Sequence, residues 1–332
     1  MSIELLARPD SPTGLALAAQ PTRPYRRHVL DLDDFSADEI VTVLDAATTM
    51  KTVLSRPIKK VPTLRGRTLV TLFYEASTRT RVAFEVAAKA LGADTISVSA
   101  STSSVTKGES LIDTIRTLQA LGADFVVMRH HLAGAPYVVA GEVAASVVNA
   151  GDGWHAHPTQ ALLDLFTIRE KLGRVAGLHV AIIGDVLHSR VARSNLWGLT
   201  KLGADVVLCG PPSLLPSTSF GKGLPWSFET TYRMDEALEG ADVVMMLRMQ
   251  TERQAGGLVP SVREYVRTYG LTEARLARAK PGALVMHPGP MNEGIEIDPK
   301  VARSAQSVIE AQVTNGVAVR MALLYLLSGL AA

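Results

Sequence analysis

From residue 68 onward the chain alternates two hydrophobic patterns. Short apolar, β-branched runs read as strands: "TLVTLFY" (68–74), "DTISVSA" (94–100), "DFVVMRH" (124–130) and "SVVNAG" (146–151). Between them, "TRVAFEVAAKAL" (80–91) and "SLIDTIRTLQAL" (110–121) space their apolar residues as a helix does, and each stops at a glycine, Gly92 and Gly122. A longer amphipathic helix covers 159–173. The alternation then restarts: a strand in "HVAIIGD" (179–185), a helix over 190–203, and strands in "DVVLCG" (205–210), "ADVVMMLR" (241–248) and "GALVMHPG" (282–289). The apolar "GVAVRMALLYLLSGL" (316–330) predicts a last helix. Ahead of the first strand, Ser36 followed by Glu39 is a capping-box pattern that opens another helix.

Strands that alternate with helices form parallel sheets covered on both faces. Two such runs, joined near the 159–173 helix, predict an α/β protein of two doubly wound parallel-sheet domains linked by helices. The length of 332 residues fits two domains. Residues 1–24, rich in Pro, Ala and Arg without a period, read as a flexible N-terminal extension.

Composition narrows the function. Hydrophobic residues make up 47% and charged residues 20%, enough for a sizeable core. The net charge of +2 and 5% aromatic content argue against a nucleic-acid binder or an anionic membrane surface. Cys209 is the one cysteine, inside an apolar run, which excludes an internal disulfide and a thiolate metal cluster. No apolar run approaches the roughly 20 residues of a membrane helix, and no secretory leader is visible. The expectation is a cytoplasmic protein without membrane partners.

In open α/β sheets, ligands bind beyond the carboxyl ends of the strands. The polar residues of this chain collect there. Ser77, Thr78, Arg79, Thr80 and Arg81 follow the first strand, Arg129 and His130 end the third, and His155 and His157 follow the fourth. Asp185, His188 and Arg190 follow 179–184, Arg248 and Gln250 follow 242–247, and His287 ends the last strand. Within "FYEASTRTR", hydroxyls and arginine forks at a helix start make a phosphate cradle. The pattern is not a Walker loop, and "GDVLHSRVARSN" lacks the three-glycine dinucleotide fingerprint, so no nicotinamide cofactor is expected. His157 precedes Pro158 at a helix start, where it is either a cap or a hydrogen-bond donor to a carbonyl. With no third ligand for the His-x-His pair, no metal is expected. Lys107, in the polar loop 99–110, is either a surface residue or part of a lid. Arg190 and Arg248 are either surface ion-pair partners or a site for two carboxylates. A cationic, donor-rich site of this kind transfers a group between two anions by positioning them and stabilising negative charge.

Taken together, "FYEASTRTR", "SSVTKGES", "VMRH", "HPTQALLDLFTI", "GDVLHSRVARSN", "LRMQTER" and "HPGPMN" occur in the order found in the aspartate/ornithine carbamoyltransferase family, which the chain resembles over about residues 25–330. "HPGP" (287–290) and the Arg-x-Gln of Arg248 and Gln250 resemble the aspartate-using members. Ornithine members carry His-Cys-Leu-Pro and a Ser-Met-Gly loop, which this chain lacks. The resemblance implies transfer of the carbamoyl group of carbamoyl phosphate to L-aspartate, giving N-carbamoyl-L-aspartate and phosphate, an early step of pyrimidine biosynthesis. The alternatives are an ornithine or acylated-ornithine acceptor, or a non-catalytic anion-binding relative.

It further implies residue roles. Ser77, Thr78, Arg79, Thr80 and Arg129 hold the phosphate. Thr80, Arg129 and His157 donate to the carbonyl oxygen. Gln160, Gly289 and Pro290 meet the carbamoyl amide, and Arg190, Arg248 and Gln250 hold aspartate. Lys107, with Ser103 or Ser104, enters from a neighbouring subunit of a homotrimer, which in some members joins a regulatory chain or a dihydroorotase. No cofactor or metal is implied. The implied domains are a carbamoyl phosphate-binding domain of 25–160 plus 306–332 and an aspartate-binding domain of 161–305. Glu293 departs from the arginine of similar sequences.

Overall fold

The computed structural model describes residues 26–99, 108–216, 228–249 and 261–329. The N-terminal extension, the loop with Ser103, Ser104 and Lys107, and Gln250 lie outside them. Helix α1 (Ala37–Leu54) opens with the predicted capping box: the Glu39 amide donates to Ser36 Oγ, and the Ser36 amide donates to the Glu39 carboxylate at 2.7 Å.

The first sheet contains β1 (Thr68–Phe73), β2 (Asp94–Ser99), β3 (Phe125–His130) and β4 (Ser146–Asp152) in the order β2-β1-β3-β4, all parallel. Between these strands run α2 (Thr78–Ala90), α3 (Leu111–Ala120) and α4 (Ala135–Glu142). After α2 and α3, Gly92 and Gly122 take left-handed backbone angles (φ +83° and +92°), which is why the chain turns there. Helix α5 (Pro158–Leu172) leads to β5 (His179–Ile183), α6 (Arg190–Lys201), β6 (Asp205–Cys209), β7 (Phe228–Thr231), α7 (Met234–Leu238) and β8 (Val243–Met246). Then come α8 (Val262–Tyr269), α9 (Glu273–Leu276), β9 (Leu284–Met286), α10 (Pro299–Ala302) and α11 (Ile309–Leu327). The second sheet runs β7-β6-β5-β8-β9, again parallel. These are the two doubly wound parallel sheets that the alternation predicts. Two helices start earlier than their apolar pattern: α2 at Thr78, so that Thr78, Arg79 and Thr80 form its first turn, and α11 at Ile309, which adds Gln312 to it.

Strand alternation divides the interior into three cores. Leu69 and Phe73 of β1, Val127 of β3, Val180 and Ile182 of β5 and Met245 of β8 face one central core, which α1, α5, α6 and α11 also fill. The alternate residues Val70, Leu72 and Val126 face a second core under α3 and α4. Ala181, Ile183, Val244 and Met246 face a third under α7 and α8. Each fully buried Leu, Ile or Phe contributes about 1.5–3 kcal/mol relative to exposure. The central core therefore ties the two sheets together, and α11 packs against α1, α2 and α5. Close approach of α6 to α5 depends on Gly198, where a Cβ would lie 2.5 Å from Leu165 Cδ1.

In both sheets the strand order reverses next to the site. In the first, the reversal lies between β1 and β3. In the second, it lies between β5 and β8. A crevice opens at such a switch point, and the polar residues following β1, β3, β5 and β8 gather around it.

Candidate active site

A cavity of about 970 Å³ lies between the carboxyl ends of the two sheets. From the β1–α2 turn come Ser77, Thr78, Arg79 and Thr80, and from the end of β3 comes Arg129. His157 and Gln160 reach the cavity from the start of α5, Arg190 from the start of α6 and Arg248 from the end of β8. Gly289 and Pro290 follow β9. All the implied site residues within the described regions thus line one cavity. Ser103, Ser104, Lys107 and Gln250 lie outside those regions.

Among the described residues, five arginines face the cavity (Arg79, Arg129, Arg190, Arg248 and Arg320) against one carboxylate, Glu75. A nearly neutral chain thus carries a local excess of positive charge at this cavity. Burial, and then the neighbouring Arg248, lower the Arg79 pKa from its ordinary value. The Arg79 guanidinium crosses to the loop after β9, where a Cβ on Gly289 would fall 2.0 Å from its Nη1. Gly151 makes a comparable allowance. Its φ of +117° suits glycine, and a Cβ there would lie 2.9 Å from Arg190 Cζ and 3.3 Å from Arg129 Nη1.

Glu75 joins the two halves. Arg129 Nη2 donates to its Oε1 at 2.7 Å, and Arg190 donates to the same carboxylate at 2.9 and 3.1 Å. Arg190 also donates to the Gly153 carbonyl at 3.0 Å. The Glu75 carboxylate thus sits on arginines from both sheets. Substrate anions of the same charge therefore meet arginines already held in place.

The turn around His157 is held from behind. Its backbone N–H donates to Ser194 Oγ at 2.9 Å, and Ser194 donates to Asp31 Oδ1 at 2.8 Å. The His157 side chain makes no capping bond, so of the two readings for this residue the cap is not the one adopted. His155 turns away to Asp152 at 3.1 Å, and that carboxylate raises its pKa. The two histidines of His-x-His thus diverge. Among the described residues no group of three or more His, Cys, Asp or Glu is placed to hold a metal. Asp185 holds His188 Nδ1 at 2.8 Å, and that ring packs edge-on against Trp154 at the cavity wall. Cys209 is buried, and burial pushes its thiol up to about 12. Glu293 pairs with Arg303 at 2.8 Å on the surface, away from the cavity.

The family model for the carbamoyl-P binding domain of aspartate/ornithine carbamoyltransferases matches residues 27–170, and that for the Asp/Orn binding domain matches 176–327. The chain belongs to the aspartate/ornithine carbamoyltransferase family. Within that family it is 63% identical over 307 residues to the aspartate carbamoyltransferase catalytic subunit of Roseiflexus sp. (strain RS-1), covering 92% of this chain and 96% of that one. It is 60% identical to the Moorella thermoacetica subunit of the same description, over 92% of this chain and 99% of that one. Among solved structures, aspartate transcarbamoylase from Trypanosoma cruzi with carbamoyl phosphate and aspartate superposes with a TM-score of 0.82 at 30% identity, covering 90% and 96% of the two chains. Ornithine carbamoyltransferase from Pyrococcus furiosus also gives 0.82, at 31% identity, with the same coverage. The fold alone therefore does not separate the two acceptors.

Several cavity residues escape a motif-based reading of this family member. Arg320 and Gln312 of α11 line the cavity although both belong to a largely buried helix. Arg320 is 3% exposed, sits 5.0 Å over the Phe84 ring and donates to the Gly316 carbonyl at 2.8 Å. A charge inside an apolar helix was the available signal, since a buried charge needs a function or a partner.

Proposed function

We propose that this chain is an aspartate carbamoyltransferase catalytic subunit. It transfers the carbamoyl group of carbamoyl phosphate to the amine of L-aspartate, giving N-carbamoyl-L-aspartate and phosphate for pyrimidine biosynthesis. The observation that carries the reading is the set of five arginines around one cavity where both sheets reverse strand order. Two dianionic substrates side by side require such a charge.

In this assignment the first sheet, with α11 returned to it, binds carbamoyl phosphate and the second binds aspartate. Ser77, Thr78, Arg79 and Thr80 hold the phosphate at the first turn of α2, where backbone N–H groups and the helix dipole favour an anion. Arg129 joins them. Gln160 and the Gly289–Pro290 backbone accept from the carbamoyl NH₂. Arg190, Arg248 and Gln250 hold the aspartate carboxylates. The amine lone pair attacks the carbonyl carbon, and the C=O electrons move onto oxygen. Thr80, Arg129 and His157 stabilise this oxyanion. The C–O bond to phosphate then breaks, and the departing phosphate carries away the amine proton. Bound at neighbouring positions, the two substrates react with the entropic advantage of an intramolecular step.

Aspartate and ornithine assayed side by side with carbamoyl phosphate test the reading. Product is expected with aspartate, and product with ornithine alone overturns it. We also propose a homotrimer in the cytoplasm, with Ser103, Ser104 and Lys107 completing a neighbour's site; no helix among the described residues is long and apolar enough to cross a membrane. Mixed assemblies of inactive Lys107→Ala and inactive Arg79→Ala chains should regain part of the activity, because some sites then combine both intact residues. Verified mixed trimers without any recovery would exclude sharing.

A further inference from the structure

Behind the cavity wall lies a fully buried carboxylate that the transfer reaction does not use. Asp164 is one helical turn after Gln160 on α5 and is 0% exposed. Its Oδ1 accepts from Gln160 Nε2 at 3.0 Å and from Gln312 Nε2 at 2.7 Å, while its Oδ2 accepts from Asn195 Nδ2 at 2.9 Å. Three helices, α5, α6 and α11, thus send one amide each to a single carboxylate. Burial raises its pKa to about 6, while the three amide donors and the nearby Arg320 act against that rise. Receiving three amide N–H donors, the carboxylate acts here as an acceptor only.

An acceptor-only partner decides which way each amide points. If Gln160 turned over, its Oε1 would face Asp164 Oδ1 and two acceptors would meet in a buried place. With Nε2 committed to Asp164, the atom Gln160 has left for the cavity is Oε1, an acceptor. Gln312 is fixed in the same way. Its Nε2 goes to Asp164, and its Oε1 accepts from the His287 N–H at 3.0 Å. His287 begins the segment that presents Gly289 and Pro290 to the cavity, and its Nδ1 in turn accepts from the Gly289 N–H at 2.8 Å. One buried carboxylate therefore sets the orientation of the Gln160 amide and the seat of the 287–290 segment.

We propose that Asp164 is a positioning residue that gives the site its preference for a carbamoyl over an acetyl donor, by turning acceptors toward the NH₂ group of the donor. The inference rests on the assignment of Gln160, Gly289 and Pro290 to the carbamoyl amide. Acetyl phosphate is the informative probe. It keeps the phosphate and the carbonyl but has a methyl where carbamoyl phosphate has NH₂, so it leaves those acceptors unpaired. A site built to pair a buried NH discriminates strongly against the analogue that lacks it.

The experiment compares kcat/KM for carbamoyl phosphate and for acetyl phosphate, with aspartate as acceptor. The expected result is that Asp164→Ala lowers the carbamoyl-to-acetyl ratio by about 10- to 100-fold, the loss of one or two oriented hydrogen bonds. Asp164→Asn retains a carbonyl oxygen for the two glutamines. Its amide nitrogen can be taken up by Asn195 Oδ1, which has no hydrogen-bond partner among the described residues, once the Asn195 amide turns over and gives up its bond to the Val191 carbonyl. That variant should stay within about threefold of the native ratio. A merely structural role would lower both rates together and leave the ratio alone. A folded Asp164→Ala enzyme with the native ratio overturns the proposal. Should that variant not fold, Asp164→Ser, which also withdraws the carboxylate from Gln160 and Gln312 but leaves a hydroxyl among the buried amides, takes its place, and an unchanged ratio there overturns the proposal equally. Calorimetric titration of both donors without acceptor reads the same preference if aspartate proves not to be the acceptor, which keeps the two assignments separately testable.

Discussion

Ser77 and Ser189 occupy the same place in the two sheets. Each stands at the cap position of the helix that follows a strand at the switch point. They are used in opposite ways. Ser189 Oγ accepts from the Ala192 N–H at 3.2 Å, an ordinary cap that leaves α6 satisfied. Ser77 makes no capping bond, and with Thr78, Arg79 and Thr80 it lines the cavity. The β1–α2 turn is therefore a cradle, whereas the β5–α6 turn is a post that carries Arg190 out to Glu75 in the other half. A cradle must leave hydrogen-bonding capacity unspent until ligand arrives, and a post spends it in advance to hold one side chain still.

The largest expected effect tests the cradle. Arg79→Ala should lower kcat/KM by about 10²–10³, the usual result of removing one preorganised donor to developing charge. Arg81, two residues on, does not line the cavity, and Arg81→Ala should stay within about threefold of the parent. Equal losses in steady-state assays of the two variants would mean that the turn as a whole, rather than its cavity face, carries the function.

A second prediction tests how firmly the post is anchored. Ser194 on α6 donates to Asp31, whose carboxyl is 3% exposed; burial raises its pKa from 3.8 to about 6, opposed by hydrogen bonds from Leu32 and Ser194. The folded-state value lies above the unfolded one. The stability this group contributes is therefore complete below about pH 3.8 and is lost as pH rises through about 6. Asp31→Asn keeps an acceptor for Ser194 and removes the titration. The melting temperature of the variant relative to the parent should rise between pH 4.5 and pH 7, by the equivalent of about 2 kcal/mol. A difference that stays constant with pH would show that Asp31 does not titrate in this range.

The contrast between cradle and post also explains what was legible in the sequence. Ser before a helix appears at both turns, and the serine alone does not tell them apart. The crowd of hydroxyls and arginines after Ser77 does, because only an anion site needs so many uncommitted donors together. The strands were readable because period-two burial leaves Leu69 and Phe73 facing one core and Val70 and Leu72 another. Arg129, His157, Arg190 and Arg248 were readable because they stand at strand or helix ends, where a polar residue interrupts an apolar pattern. Asp164 and Gln312 were not, because they lie inside buried helices and pair with each other across 148 residues of chain. The four-residue step from Gln160 to Asp164 gave one local hint, since that spacing stacks two side chains on one helix face, and the charge of Arg320 inside an apolar run gave another. The role of Glu75 was not legible either, because its partner Arg190 is 115 residues away.

The smallest effect separates the two serines most directly. Ser77→Ala should raise the KM or Kd for carbamoyl phosphate by about tenfold, one lost hydrogen bond to a charged group, with little change in stability, since no cap is removed. Ser189→Ala should do the reverse. It deletes the bond to Ala192 and should cost about 1 kcal/mol in denaturant unfolding, while the Kd for carbamoyl phosphate stays within about twofold. Measured as a pair, by calorimetric titration and by urea melts on the same preparations, the two variants distribute one small chemical change between binding and folding. If Ser77→Ala also loses about 1 kcal/mol of stability, its hydroxyl caps α2 in solution and the cradle begins at Thr78. If Ser189→Ala weakens carbamoyl phosphate instead, α6 contributes to the donor side, and the division of labour between the sheets is drawn in the wrong place.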